Sequence, residues 1–292
     1  MRQSLFVIDG LNQIFRAYYA PFRPLTSPSG EPTKATYVFL RMFLQFVREW
    51  SPDYLAVALE GGESGSDFRR NIYPDYKANR SSQPDDFRPQ VDRIKSLLGA
   101  MGVPILQSPG FEADDVMATV AKVTEGRDRL DVFLVSSDKD LRQLIAGERV
   151  SLLNPKTGIV LDAYGLADEH GYTPAEAVEI QTLTGDPTDN VPGARGVGEK
   201  TAVKLIKKYG TAEATVAHAD ELTPKQRENI LAFADKMPTT RRLVTLRTDV
   251  PLDFDLDKCA ADFNIDAVKP MFEELGFRSL VKDLEKLARI RP

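Results

Sequence analysis

Of the eight carboxylates between Glu112 and Asp140, five cluster at the two ends of the stretch: Glu112, Asp114, Asp115, Asp138 and Asp140. The first three open a run of small and apolar residues, Val116 to Ala121, that has helical character. The last two follow Asp131-Val-Phe-Leu-Val135, an apolar, β-branched run of strand length. They therefore lie beyond the carboxyl end of a strand, where open α/β sheets bind their ligands. Like charges this dense raise one another's pKa unless a cation stands among them. An all-oxygen donor set suits Mg²⁺ or Mn²⁺. Helix capping is the competing explanation, and it covers Glu112 and Asp114.

The number of such carboxylates decides between the two. Asp9 ends the strand Ser4–Ile8, Glu60 follows the strand Tyr54–Leu59, and Asp186 and Asp189 fall in Thr184-Gly-Asp-Pro-Thr-Asp-Asn190. Asx turns account for Asp186 and Asp189 singly. Nine carboxylates at chain reversals beside buried elements suit a pair of metal ions about 3.5–4 Å apart, clamping the oxygens of a phosphodiester.

The elements that must position these groups read as an alternation of strands and helices up to about residue 170. Helices are predicted over 11–19, 33–50 and 89–98; Tyr37, Leu40, Phe43, Leu44 and Val47 form one apolar face of the second. Pro104–Leu106 is a brief strand, and Val150–Leu153 with Gly158–Leu161 reads as further short strands or a hairpin. Beyond residue 170 strands vanish. Thr173-Pro-Ala-Glu176 and Thr223-Pro-Lys-Gln226 are capping boxes with proline at the first helical position. Between them Gly193-Ala-Arg-Gly-Val-Gly-Glu-Lys-Thr201 is a glycine-rich turn into a helix, which suits a phosphate. It is not a Walker A loop, because the spacing before Lys200 fails. The tail, Val268 to Ile290, reads as helical with a break near Gly276.

Residues 61–90 stand apart. Arg69, Arg70, Lys77, Arg80 and Arg88 interleave with Phe68, Tyr73, Tyr76 and Phe87, as in a strip contacting phosphates and bases. Such a stretch reads as a mobile loop or helical excursion over the sheet edge. A basic solvated helix face would look similar.

The totals exclude several chemistries. One cysteine, Cys259, rules out an internal disulfide and a cysteine-based zinc site, and fits a reducing cytosol. Two histidines, His170 and His218, leave no histidine-rich metal site. No run approaches the roughly 20 apolar residues of a membrane span, and the N-terminus turns polar too soon for a signal peptide. The net charge of −5 becomes +4 once the nine site carboxylates are set aside, so the balance does not exclude nucleic acid.

Taken together, Val7-Ile-Asp-Gly10, Phe68-Arg69, Tyr76-Lys-Ala-Asn-Arg80, Gly110–Val116, Ser137-Asp-Lys-Asp-Leu141 and Thr184–Gly193 through Gly196–Ala202 closely resemble the 5′-nuclease family. That family comprises the N-terminal domain of bacterial DNA polymerase I, phage 5′-exonucleases and flap endonucleases. The resemblance implies an α/β fold: a mostly parallel central sheet of PIN/resolvase-like type with a helical arch at about 61–90, in residues 1–171. An all-α helix-hairpin-helix subdomain with C-terminal helices would follow, in 172–292. It implies two Mg²⁺ (or Mn²⁺) ions and hydrolysis at 5′ flaps and nicks, including removal of RNA primers in replication and repair. Asp9, Glu60, Glu112, Asp114, Asp115 and Asp138 would hold the first ion directly or through water; Asp138, Asp140, Asp186 and Asp189 would hold the second. Lys77 would reach the scissile phosphate, with Arg69 and Arg80 assisting. Arg69, Arg70, Tyr76, Lys77 and Arg80 would contact DNA from the arch. Gly193, Gly196, Gly198, Lys200 and Thr201 would grip the duplex backbone, and in this family that hairpin can hold K⁺. A monomer in the bacterial cytosol, associated with the nucleoid and working beside a DNA polymerase, is the expectation.

Two departures bear on this. Position 60 is Glu where bacterial members usually have Asp, which is expected to lower activity or shift it toward Mn²⁺ without abolishing it. The chain also stops where a polymerase I would continue, as a standalone nuclease or a fragment would. A non-catalytic DNA-junction binding protein of the same fold is the principal rival, with Glu60 its only support. A PIN-type ribonuclease is a second, and the hairpin glycines speak against it. A haloacid-dehalogenase-type phosphatase fails because Leu11 stands where its second acid belongs.

Overall fold

Leu5 and Val7 point to one side of β1 (Gln3–Asp9) and Phe6 and Ile8 to the other, and all four are buried. A strand apolar on both faces must lie inside a sheet covered on both sides. The computed structural model describes residues 2–62 and 66–290, and it places β1 at the centre of a six-stranded sheet.

Asp9 caps α1 (Gly10–Tyr18), and α2 (Lys34–Trp50) buries Val38, Phe39, Leu40, Phe43, Leu44 and Val47 against the sheet. β2 (Tyr54–Ala58) pairs parallel with β1. The six-residue α3 (Asp67–Ile72) and then α4 (Phe87–Ala100) precede β3 (Ile105–Leu106), which pairs parallel with β2. After α5 (Ala113–Val123) comes β4 (Leu130–Val135), parallel to β1 on its other side. β5 (Val150–Leu153) adds in parallel, and β6 (Val160–Leu161) closes the edge as an antiparallel hairpin partner. The strand order is β3-β2-β1-β4-β5-β6. The order reverses between β1 and β4, which places the sheet's crevice at their carboxyl ends.

The rest is helical: α6 (Ala163–His170), α7 (Pro174–Thr184), α8 (Glu199–Tyr209), α9 (Ala212–Ala217), α10 (Pro224–Phe233), α11 (Met237–Val244), α12 (Ile265–Glu274) and α13 (Arg278–Ile290). At α7 the capping box forms in full, with Glu176 accepting from the Thr173 amide at 2.8 Å. At α10 only half of it forms: the Thr223 hydroxyl caps Gln226, without the reciprocal bond. Neither α6, α9 nor α11 was predicted.

The segment 61–90, expected as a helical arch, runs from the end of β2 into α4. Among its described residues it holds only α3, a series of turns and the start of α4, while residues 63–65 lie outside the described residues. It is also anchored, since Arg69, Tyr76 and Phe87 are buried. The C-terminal helices, in turn, do not pack with the helical hairpin. Val268, Phe272, Phe277, Leu280, Leu284 and Leu287 join the apolar core beneath α2 and α4, and Ala261 donates to the Asp53 carbonyl beside β2. The chain thus returns to the α/β layer after leaving it.

Candidate active site

Asp9 stands at the end of β1, Asp138 three residues past β4, and Glu112 to Asp115 at the N-terminus of α5, which packs against β1 and β2. The loop between α7 and α8 brings Asp186 and Asp189 up to them. A cavity of about 50 Å³ results, lined by Glu112, Asp114, Asp138, Asp140, Asp186 and Asp189 with Lys77 and Tyr76. That is room for ions and a few waters. Glu60 opens instead on the neighbouring cavity of about 250 Å³, with Arg88, Lys95 and Gln107.

The carboxylates are of two kinds. Asp9 accepts from the Asn12 amide at 3.1 Å and the Ser136 hydroxyl at 2.8 Å, yet burial, with Asp138 and Glu60 nearby, raises its carboxyl to about 6. Burial, followed by Asp138 and Asp186, lifts Asp140 to about 7. Burial and four acidic neighbours, Asp9 first, push Asp114 well up. Glu60 is raised too, by burial and then by Glu112 and Asp189, against Lys77 and Arg80. Asp140 Oδ1 is buried with no hydrogen-bond partner among the described residues, although Gln181 stands beside it.

The other kind is neutralised by the protein. Burial alone would raise Glu112, but Lys77 and Arg69 outweigh it and hold it low. Lys77 Nζ lies 2.7 Å from Glu112 and 3.8 Å from Asp189, while the single Tyr76 hydroxyl proton lies between the two acids, with Oη 3.2 and 3.1 Å from them. Ser66 also donates to Glu112, and Arg80 to Asp189. Asp115 is wholly inaccessible. It takes both Arg69 Nη atoms, at 2.6 and 2.9 Å, and the Arg247 amide at 2.9 Å.

The geometry places the predicted site residues differently from one another. Asp115 has no oxygen left to face the cavity, so it supports the site from behind. Arg69 is 2% exposed, and its Nε donates to the Leu243 carbonyl at 2.9 Å, so it forms part of the cavity wall with its guanidinium bonded to the fold. Tyr76 is 4% exposed and faces the acids rather than a base. Arg70 and Arg80 are exposed as expected. At the glycine-rich turn, Gly196 (φ 73°), Gly198 and Lys200 are exposed, and Gly198 caps α8. Gly193 serves packing instead: a Cβ there would stand 2.0 Å from the Thr184 carbonyl oxygen.

Sequence reasoning missed Ser66 and Ser136, which hold site carboxylates, Gln181, which stands beside Asp140, and Leu243, Val244 and Leu246, which wall the cavity. Ser136 could have been found beside Asp138 in the motif; the others carry no local signal.

A hard divalent cation fits this donor set. Every ligand is a carboxylate, the excess negative charge lies on the cavity side, and one buried oxygen there lacks any donor. Among the described residues no three acidic, histidine or cysteine side chains converge closely enough to hold a metal ion by themselves. Mg²⁺ does not require such a set, because it keeps several waters and takes few protein ligands alongside substrate phosphates.

Comparison with known proteins agrees with the fold. Residues 4–179 match the family described as 5′-3′ exonuclease, N-terminal resolvase-like domain, and residues 172–265 match 5′-3′ exonuclease, C-terminal SAM fold. The thermostable DNA polymerase I of Thermus thermophilus is 35% identical over 279 residues, covering 96% of this chain and 33% of that protein. The chain thus spans about a third of the length of the polymerase it matches. The T5 5′-exonuclease with bound zinc superimposes with a TM-score of 0.69 at 21% identity, over 98% of this chain and 100% of that one. The T5 D15 flap endonuclease, in a complex with DNA and metal ions, gives 0.68 at 19% identity, over 98% and 100%. Both structural likenesses concern the fold.

Proposed function

The chain belongs to the 5′-3′ exonuclease family, and from that premise we propose that it cleaves branched, flapped or nicked DNA as a divalent-metal-dependent 5′-nuclease. The observation that carries the reading is the acid cluster at the sheet's switch point, where Asp114 and Asp140 line the cavity, Asp9 stands close to Asp114, all three are raised by burial and by acidic neighbours, and Lys77 lines the same cavity. Asp9, Glu60, Glu112, Asp114 and Asp138 would hold one Mg²⁺ or Mn²⁺; Asp138, Asp140, Asp186 and Asp189 would hold a second. Such ions, when bound, supply charge neutralisation for the phosphodiester and activation of a water.

The chain's own residues do the rest. The Lys77 ammonium is held by Glu112 and Asp189 at the cavity, where it would meet a non-bridging oxygen and stabilise charge developing on the phosphorane-like transition state. Arg80 lies one turn further out and would take a neighbouring phosphate, as would Arg70. Arg69 and Asp115 fix α3 against α5 and so fix the base of the segment that carries Lys77. At the other end, the Gly196–Thr201 turn, exposed at Gly196, Gly198 and Lys200, presents the N-terminus of α8 and Lys200 to a duplex phosphate, with no means of reading bases. A K⁺ ion at this turn belongs to the same proposal, as do a monomeric state, a cytosolic setting and a polymerase partner. Among the described residues no helix is long and apolar enough to cross a membrane.

The test is cleavage of a 5′-labelled flap duplex with Mg²⁺, with Mn²⁺ and with chelator. Metal-dependent release of a short 5′ product near the junction is expected. Binding without cutting under either metal would replace this reading by that of a junction-binding protein.

A further inference from the structure

Among the described residues Lys77 and Asn190 are two of the four non-glycine residues with positive φ, at 59° and 57°, and they lie in segments that bond to each other. Side chains rarely adopt this conformation, and it persists where surrounding contacts over-determine it. Those contacts are present. The Lys77 amide donates to the Asp189 carbonyl at 2.9 Å. Asn190 Nδ2 donates back across the gap to the Asp75 carbonyl at 2.7 Å, and Asn79 Nδ2 to the Pro187 carbonyl at 2.9 Å. The turn 73–80 is thus fastened to the loop 186–191 by one backbone bond and by two asparagine amides. Neither asparagine lines the cavity. The fastening turns Lys77 inward while Ala78, Asn79 and Arg80 remain exposed.

We propose that Asn79 and Asn190 are positioning residues, clasping the Lys77 turn to the Asp186–Asp189 loop so that the ammonium and those carboxylates take up their places as one unit. The inference rests on the nuclease reading and deepens it. Without the clasp, one backbone bond, from the Lys77 amide to the Asp189 carbonyl, and the side chains that meet Asp189 would remain to hold the turn, and Lys77 would have more freedom to swing away while the acids stayed. With it, the two halves of the site are assembled together or not at all.

Asn190→Gly isolates the contribution of the side chain, since glycine enters the left-handed region freely; Asn79→Ala removes the second amide. Cleavage of the flap duplex and site-resolved amide hydrogen exchange are measured on the full chain. In each variant kcat is expected to fall about tenfold with KM unchanged, the effect of one hydrogen bond. The Lys77 amide should exchange about tenfold faster while the amides of β1 keep their protection. Unchanged kcat in both variants overturns the proposal. So does a fall in kcat matched by faster exchange throughout β1, which would mark a merely structural role. A wild-type protein that cuts nothing removes the nuclease reading and this one together, whereas a wild type and variants that cut equally well remove only this one.

Discussion

The cavity side and the buried side of the α5 N-terminus differ more than their sequence suggests. Asp114 and Asp115 are neighbours in one helical turn, yet Asp114 faces four other acids and is pushed well up by burial and by them. Asp115, with no exposed surface, is matched by a bidentate Arg69 and a backbone amide. The molecule balances one carboxylate internally and leaves the other to a cation from outside. Charge that the fold neutralises builds structure; charge that it leaves unbalanced is available to a ligand. Adjacent positions on a helix face directions about 100° apart, which is enough to assign the two carboxyls to different surroundings.

The contrast can be broken by removing one carboxylate at a time. Asp138→Ala and Asp186→Ala should have the largest effect, lowering the cleavage rate by on the order of 10³-fold or more while DNA binding persists. Cleavage at the wild-type rate, with binding intact, would remove the metal assignment.

Changes on α5 should then separate stability from activity. Asp115→Ala leaves the Arg69 guanidinium buried without its partner, and should cost about 3–5 kcal/mol in denaturant unfolding. Asp114→Asn should raise the unfolding midpoint of chelator-treated protein, because it removes a buried charge among like charges, and should abolish the stabilisation that Mg²⁺ gives the wild type. Equal destabilisation by both substitutions would mean that the two sides of the helix do not differ as described.

Glu60→Asp should have the smallest effect. Glu60 opens on the cavity beside the central one, so the shorter side chain should preserve or raise Mg²⁺-dependent cleavage. Complete loss would indicate a site rebuilt around the longer side chain.

Much of the fold could be read locally. The alternation in Ser4–Ile8, the apolar face of 33–50 and the capping box at Thr173 each describe a face or an end that neighbours in sequence determine. The carboxylates were legible for the same reason, since each follows a strand or opens a helix. Helix α11 was not legible, because Met237-Pro-Thr-Thr-Arg-Arg resembles a turn, and its place is set by packing on α7 and by Arg241 bonded to Glu179. The basic segment misled in a similar way. Arg69 and Tyr76 have the composition of a nucleic-acid contact strip, but their partners lie 46 and 36 residues on, at Asp115 and Glu112.

By itself the sequence determined the parallel order of strand and helix, the acids at the strand ends and the glycine-rich turn before α8. These follow from periodicity, caps and turn chemistry, which act over a few residues. The tertiary structure alone decided which acids remain free and which are spent on Arg69 and Lys77, and that the last helices return to the α/β layer. Those outcomes depend on charges and apolar faces distant in the chain meeting in space, and on the cost of burying a charge, which forces every inward carboxylate to find a cation.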